Sequence, residues 1–358
     1  MLTEGLPSTV VRWGGWTGGW WLGRIVGVGD DAEGSAGAMR GLDSRLGTAE
    51  NFRRFGEAAR GRSPAYGRLA EAVAADTGVL DFLDGLPVAK RQPNLLFAAA
   101  RYLLGTPPGI DAVRRLVRER ADELAAVLRA RRTQTNEPAR CATLLPALAG
   151  LPEPLALLEV GASAGLTLLP DHYSYDYAGH ALAGDPGAPT LACRPHGPVP
   201  LPDRLPTVAW RRGLDVNPLD PADADDARWL ECLVWPGEGD REARLRAALD
   251  LARRHPVPVH RGDLVDDLAR VAADAPSGAT LVVYHSAVLA YVDAGTRRAF
   301  AAAVRDLGAV WLSNEAPGVL PGTEATGRHE DPFLLVRDGR EVLAATDPHG
   351  TWIDWSAR

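Results

Sequence analysis

The stretch Leu155 to Leu166, reading Leu-Ala-Leu-Leu-Glu-Val-Gly-Ala-Ser-Ala-Gly-Leu, constrains this chain more than any other. A short apolar run with one acid ends in two glycines that flank a serine, and helix-forming residues follow. That pattern describes a buried strand turning tightly into a helix whose N-terminal amides face a ligand. Two chemistries use such a turn. A nucleotide-type cofactor needs the glycines so that backbone can approach it closely. A hydrolase needs Gly-x-Ser-x-Gly to expose a nucleophile on a strained elbow. Gly161-Ala162-Ser163-Ala164-Gly165 fits both spellings, so the rest of the chain has to choose.

Downstream of Pro152, strand-like runs occur at 155–160, 207–211, 257–260, 279–284, 308–312, 333–337 and 341–345. Helical spacing occurs at 163–169, 223–233, 240–254, 263–273 and 293–306. Strands separated by crossover helices predict an α/β domain over 151–358, a Rossmann-like doubly wound parallel sheet of about seven strands. Asp338-Gly339 between the last two runs predicts a hairpin, and hence an antiparallel end to the sheet. Upstream, residues 39–150 form a helical region. Its expected helices start at Pro64, span 94–104, run long and amphipathic over 111–132, and cover 138–148. In the last, Asn136 reads as an N-cap with Pro138 in the first turn. Residues 1–38 hold four tryptophans and ten glycines with no period. Met39 is the expected start of translation, and the preceding residues are expected to lie outside the fold.

The 358 residues carry a net charge of −7, which gives no electrostatic footprint for nucleic acid or for an anionic membrane. The arginines of 114–132 interleave with acids at 119, 122 and 123, as on a solvated helix face. No apolar run reaches transmembrane length and no secretory signal is recognisable, so a cytoplasmic location is expected. Cys141, Cys193 and Cys232 are too scattered for a disulfide framework or a zinc site. The histidines form no ligand-spaced pair with a carboxylate, so no metal is expected. The partner expected is a small-molecule substrate, and the oligomeric state stays open.

Ligands of open α/β sheets bind at the carboxyl ends of the strands. The residues that follow the expected strands are therefore the candidates: Glu159, Gly161 and Gly165; then Asp215 with Asn217-Pro218; then Asp263-Leu264; then His285; then Asn314-Glu315. Together with these, the segments QTNEPARCATLLPAL, LLEVGASAGLTLLPDHYSYDY, RRGLDVNPLDP, LVVYHSAVLAYV and HGTWIDW make the chain recognisable. From about residue 48 to 358 it resembles a largely actinobacterial family, domain-of-unknown-function family twenty-three thirty-two, with a methyltransferase-like fold.

The more distant resemblance is to class I S-adenosylmethionine-dependent methyltransferases, and it implies S-adenosylmethionine as cofactor. Glu159, Gly161, Ala162, Ser163 and Gly165 would form the cofactor loop, with Ser163 in place of the usual middle glycine. Asp215 would accept the ribose hydroxyls, and Asp263 and Leu264 would frame the adenine. His285 would be the base beside the transferring methyl, since its ordinary pKa lies near neutrality. Tyr173 and Glu137 would stand with it at the reacting centre, and Gln134, Asn136, Tyr284 and Glu315 at the substrate. Two rivals remain. One is an α/β-hydrolase using Ser163, Asp263 and His349, which follow the chain order of that fold. The other is a non-catalytic protein on a methyltransferase-like fold.

Overall fold

Local chemistry sets the helix boundaries of the first half of the chain. The structure, a computed structural model, describes residues 46–134, 136–323, 329 and 332–355. The expectations for residues 1–38 and Met39 lie outside these described residues. Seven helices come first: α1 (Thr48–Ala59), α2 (Pro64–Ala74), α3 (Thr77–Asp84), α4 (Pro93–Leu104), α5 (Ile110–Glu119), α6 (Ala121–Ala130) and α7 (Arg140–Ala149). The Ser63 hydroxyl accepts from Tyr66 N, with Pro64 in the first turn. Asp76 accepts from Val79 N and starts α3. Gly105 closes α4 in the left-handed region, φ 78°.

Two expectations are corrected here. The single helix over 111–132 is broken at Arg120, φ −139° and ψ 36°, into α5 and α6. The break lets α5 pack on α3 while α6 packs on α4, so Val113, Leu116, Leu124 and Leu128 are all buried. Asn136 caps no helix, because α7 begins at Arg140 with Ala139 as its cap position.

The second half supplies β1 (Leu155–Val160), β2 (Ser174–Tyr177), β3 (His180–Leu182), β4 (Thr190–Ala192), β5 (Arg194–His196) and β6 (Val208–Asp215). Next come α8 (Ala224–Leu233), α9 (Gly239–Arg254), β7 (Val259–Arg261), α10 (Leu268–Ala272), β8 (Thr280–Ser286), α11 (Ala294–Asp306) and β9 (Val310–Glu315). Last come β10 (Phe333–Arg337), β11 (Glu341–Thr346) and β12 (Trp352–Asp354).

Nine described strands make one sheet in the order β5-β12-β11-β10-β9-β8-β1-β6-β7, and β3-β2-β4 make a small second sheet. The five strands from β9 to β7 run parallel. Beyond β9 the sheet turns into an antiparallel meander through β10, β11 and β12. The β10–β11 turn has Asp338 at φ 51° and Gly339 at φ 66°, the two left-handed residues an Asp-Gly hairpin requires. All seven expected strands are present, and β5 and β12 extend the sheet beyond them. The fold is therefore a mixed α/β fold with a large, mostly parallel sheet.

Alternate side chains feed a separate core on each face, as a doubly covered sheet demands. Leu157, Val282, Leu312 and Leu335 pack with the N-terminal helices. Leu158, Val160, Val283 and Val336 pack with α10 and α11. The helical region and the sheet thus share one core. Polar links join them as well, from Trp229 Nε1 to the Arg132 carbonyl at 2.9 Å and from Trp235 Nε1 to Asn94 Oδ1 at 2.9 Å. Among the described residues no helix is long and apolar enough to cross a membrane.

One further correction bears on the site. The helix expected over 163–169 is only a 3-10 turn, Leu166–Leu168, which leads into the small sheet. No α-helix N-terminus therefore follows the glycine turn.

The loop after β11 is pinned against the start of α7. Gly350 has φ 79°, and a Cβ there would collide with the Ala139 carbonyl. Gly350→Ala is expected to lower unfolding free energy by about 2 kcal/mol or more. Urea denaturation measures it, and an unchanged midpoint would contradict this close approach.

Candidate functional site

Gln134 and residues 136–140 lie across the carboxyl end of the sheet and meet the glycine turn there. Asn136 Nδ2 donates to Ser163 Oγ at 2.6 Å, and Gln134 Nε2 donates to the same oxygen at 3.2 Å. Asn136 Oδ1 accepts from Ala164 N at 3.1 Å. Gln134 also pairs with Asn217, accepting from its Nδ2 at 2.7 Å and donating to its carbonyl at 2.9 Å. Asp215 stands beside them, one oxygen accepting from Ser163 N at 2.8 Å and the other from Asn217 N at 2.7 Å. Gln134, Asn136, Ser163 and Asp215 are thus brought together in one closed network.

The turn itself is equally self-contained. Gly161 N and Ala162 N donate to the Leu214 carbonyl and Gly165 N to the Ala162 carbonyl, so every amide from 161 to 165 has a partner within the chain. Gly161 sits at φ 72°, and the space its missing Cβ would take is filled by Val288. A Cβ on Gly213 would lie 2.7 Å from the Ala162 methyl. These glycines serve close packing of the chain on itself. In this arrangement every turn amide is engaged within the chain, and each oxygen of Asp215 already accepts one internal hydrogen bond.

Beneath the turn lies a buried polar group. The Glu159 side chain bonds the Thr167 hydroxyl, and the Thr167 carbonyl accepts from Tyr284 Oη at 3.0 Å. Tyr173 Oη donates to the Leu166 carbonyl at 2.7 Å. Both tyrosine hydroxyls are fully buried and hold backbone, so neither reaches a substrate in this structure. Burial lifts the Glu159 carboxyl from an ordinary 4.5 to about 8, against the opposing Thr167 hydrogen bond and the Arg140 charge. Its second oxygen has no hydrogen-bond partner among the described residues.

Glu137 faces the other way, into a charged cluster. Its carboxylate accepts from Arg241 Nε and Arg244 Nε, each at 2.8 Å, and from Ala139 N at 3.2 Å. His349 Nδ1 lies 3.6 Å from the same carboxylate. Burial pushes the Glu137 carboxyl up, but His349, Arg241 and Arg244 together hold it well below the usual carboxylate range. Burial pushes the His349 imidazole down to about 3, against the pull of Glu137, so the ring is neutral at ordinary pH. A cleft of about 390 Å³ opens beside this group, lined among others by Arg62, Glu238, Arg241, Arg244, Asp347 and His349. Arg241 also donates to Glu238 at 2.6 Å. Arg244, among the described residues, donates only through Nε.

The remaining candidates lie apart. His285 is fully buried on the opposite face of the sheet, between Phe300 and Trp311. Trp311 Nε1 can only donate, and it lies 3.0 Å from His285 Nε2, so Nδ1 carries the proton and donates to Glu315 Oε1 at 2.8 Å. Glu315 Oε1 also accepts from Val288 N and Leu289 N. His285, expected as a base, here ties β8 to β9 through both ring nitrogens. Glu315 likewise anchors the loop after β8. Asp263 accepts from Val265 N and Asp266 N in its own exposed turn, and Leu264 packs into the core of that face. The hydrolase trio is not assembled. Ser163 Oγ receives two amide donors, Asp263 bonds its own loop, and His349 faces Glu137.

Residues 49–355 match the family model described as "Uncharacterized protein conserved in bacteria (DUF2332)". The chain belongs to this family. No curated protein and no solved structure shows a significant match to it.

Sequence reasoning missed Arg140, Arg241 and Arg244. Arg241 and Arg244 stand three apart on α9 and so share a face, a helical signal that was available. Arg140 is buried and donates to the Pro348 carbonyl at 2.9 Å and the Ser286 carbonyl at 3.1 Å. Nothing in its spacing marks those partners.

The raised Glu159 pKa carries a sign. The folded state holds a proton that the unfolded chain releases near 4.5, so stability falls as pH rises from there to about 8. Glu159→Gln removes that slope and is expected to gain on wild type by on the order of a few kcal/mol at alkaline pH. Urea midpoints at pH 5 and pH 9 measure it, and parallel changes in both proteins would refute the assignment.

Proposed function

We propose that the chain binds a small anionic molecule, carrying a carboxylate or a phosphate, in the cleft of Arg241, Arg244 and His349. The observation that carries this reading is Arg244. It is fixed through Nε by a buried carboxylate, while its terminal nitrogens make no hydrogen bond among the described residues. A guanidinium held that way offers a preorganised fork for a second acid group. The location supports the reading, since the loop after β11 and residues 136–140 both lie at the carboxyl end of the sheet. The neutral His349 adds no charge to the cleft, and with its pKa near 3 it is a weak base at ordinary pH.

S-adenosylmethionine binding with methyl transfer to a small molecule is the second reading, and one observation favours it. The strand order reverses at β1, so the Glu159–Gly165 turn and Asp215 stand at the switch point where ligands of such sheets bind. In that reading Gln134 and Asn136 leave Ser163 and release the Ala164 amide. The donors and acceptors that methyl transfer would need are engaged within the chain here.

Calorimetry on the full-length protein separates the two, with inorganic phosphate, succinate and S-adenosylhomocysteine as probes. Phosphate or succinate is expected to bind wild type and to weaken at least tenfold in Arg244→Gln, with Asp215→Ala unaffected. Absence of heat with both anions would overturn the anion reading. Heat with S-adenosylhomocysteine that disappears in Asp215→Ala would move the function to the glycine turn.

A further inference from the structure

On another part of the molecule, two imidazoles and a carboxylate converge from three separate places in the chain. His172 follows the 3-10 turn after β1, Asp185 lies in the loop after β3, and His255 is the C-cap of α9. His172 Nδ1 is 3.0 Å from Asp185 Oδ2, and His255 Nε2 is 2.7 Å from that same oxygen. The ligand atoms all lie within 4.8 Å of one another. The two rings face each other at 3.9 Å between centroids, tilted by 31°.

A histidine–aspartate hydrogen bond needs one imidazole, and here two crowd a single carboxylate oxygen. First-row divalent metals bind nitrogen and oxygen at about 2.1 Å, so ligands at right angles lie roughly 3 Å apart. The two observed separations match edges of such a coordination shell. The other nitrogen of His172, Nε2, lies 3.7 Å from Asp171 Oδ2, a close approach longer than a hydrogen bond. Asp171 is itself clamped by Arg211 through two bonds of 2.8 and 2.7 Å. Metal sites commonly carry a carboxylate on the far side of a ligating histidine, and Asp171 stands on that side of His172 at longer range.

We propose that His172, Asp185 and His255 form a site for one divalent first-row metal ion such as Zn²⁺ or Fe²⁺. The donor set has two nitrogens, one carboxylate and no sulfur, which suits those ions. Three ligands leave positions open, and they border a cleft of about 390 Å³ lined by Arg211, Arg212, Arg254 and Pro258 as well as both histidines. The arginines make an anion the fitting exogenous ligand. This site stands apart from the Arg241–Arg244 cleft, and neither proposal depends on the other.

The test uses untagged full-length protein, stripped with a chelator and titrated with Zn²⁺ by calorimetry and with Co²⁺ by absorption. One equivalent of Zn²⁺ is expected with micromolar or tighter affinity, and Co²⁺ should give the visible bands of a nitrogen–oxygen site. His172→Ala, Asp185→Asn and His255→Ala should each weaken Zn²⁺ at least a hundredfold while metal-free circular dichroism and melting temperature stay unchanged. Asp171→Asn should cost roughly tenfold, as expected of a residue that positions a ligand. If His172→Ala does not fold, His255→Gln decides the matter, since its side chain is partly exposed at the end of α9. No binding at about 100 μM Zn²⁺, or equal affinity in wild type and the His255 variants, overturns the proposal.

Discussion

The buried carboxylate of Glu137 is the interaction on which the carboxyl end of this sheet depends. It gathers Arg241 and Arg244 from α9, the loop carrying His349 after β11, and the backbone at the start of α7. Taking a carboxylate out of water is costly, and here two guanidiniums match it with hydrogen bonds of good length. Removing one partner of such a group leaves the other charge buried and typically costs about 3–5 kcal/mol. Arg140, three residues on, extends the same suture to the ends of β8 and β11 through carbonyl groups. Residues 136–140 are therefore a structural strap, and they fix what the arginines can offer to a ligand.

That strap decides how the glycine turn is to be understood. Close approach of backbone to a nucleoside and close approach of backbone to another part of the protein impose the same demand on sequence. Gly161 meets the demand against Val288, and Gly213 meets it against Ala162 and Val259. Ser163 adds the complementary detail. It lies at φ 51°, where a side chain is disfavoured, yet its hydroxyl is held by Asn136 and Gln134 and its amide by Asp215. The residue that looked least suited to a cofactor loop is the one most firmly integrated into the chain. The family match covers nearly all described residues but carries no activity with it, and function resides in the side chains of a site rather than in the fold.

Much of the fold was legible because periodicity and turn chemistry are local. All seven strand-like runs became strands, and Asp338-Gly339 became the hairpin turn it spells. Helices such as 240–254 and 293–306 were displaced by at most one residue at an end. What failed was set by contacts distant in sequence. Arg120 breaks its helix because α3 and α4 require different directions of the two halves. The turn after Gly165 stays a 3-10 turn because the chain proceeds directly into a second sheet. His285 follows an expected strand as a base would, but its place on the α11 face, between Trp311 and Glu315, is a property of strand register. Glu137 and Gln134 were expected beside a substrate, and the contacts with Asn217, Arg241 and Arg244 that hold them here lie 83 to 107 residues away.

The long excursion between β1 and β6 shows why distance in sequence hides chemistry. A simple α/β unit would cross over there with one helix. This chain instead builds β2, β3 and β4, then sends β5 past them to pair in parallel with β12 at the far edge of the main sheet. Tyr173, Tyr175 and Tyr177 seat the small sheet by donating to carbonyls of residues 166, 170 and 142, so the excursion is anchored to both the turn and α7. Anchoring at those points fixes the intervening loops as well. Asp171 and His172 are thereby held near Arg211 of β6, and Asp185 is brought back onto them beside the end of α9. The two histidines and the aspartate thus meet through the path of an inserted segment, and spacing along the chain cannot reveal such a meeting.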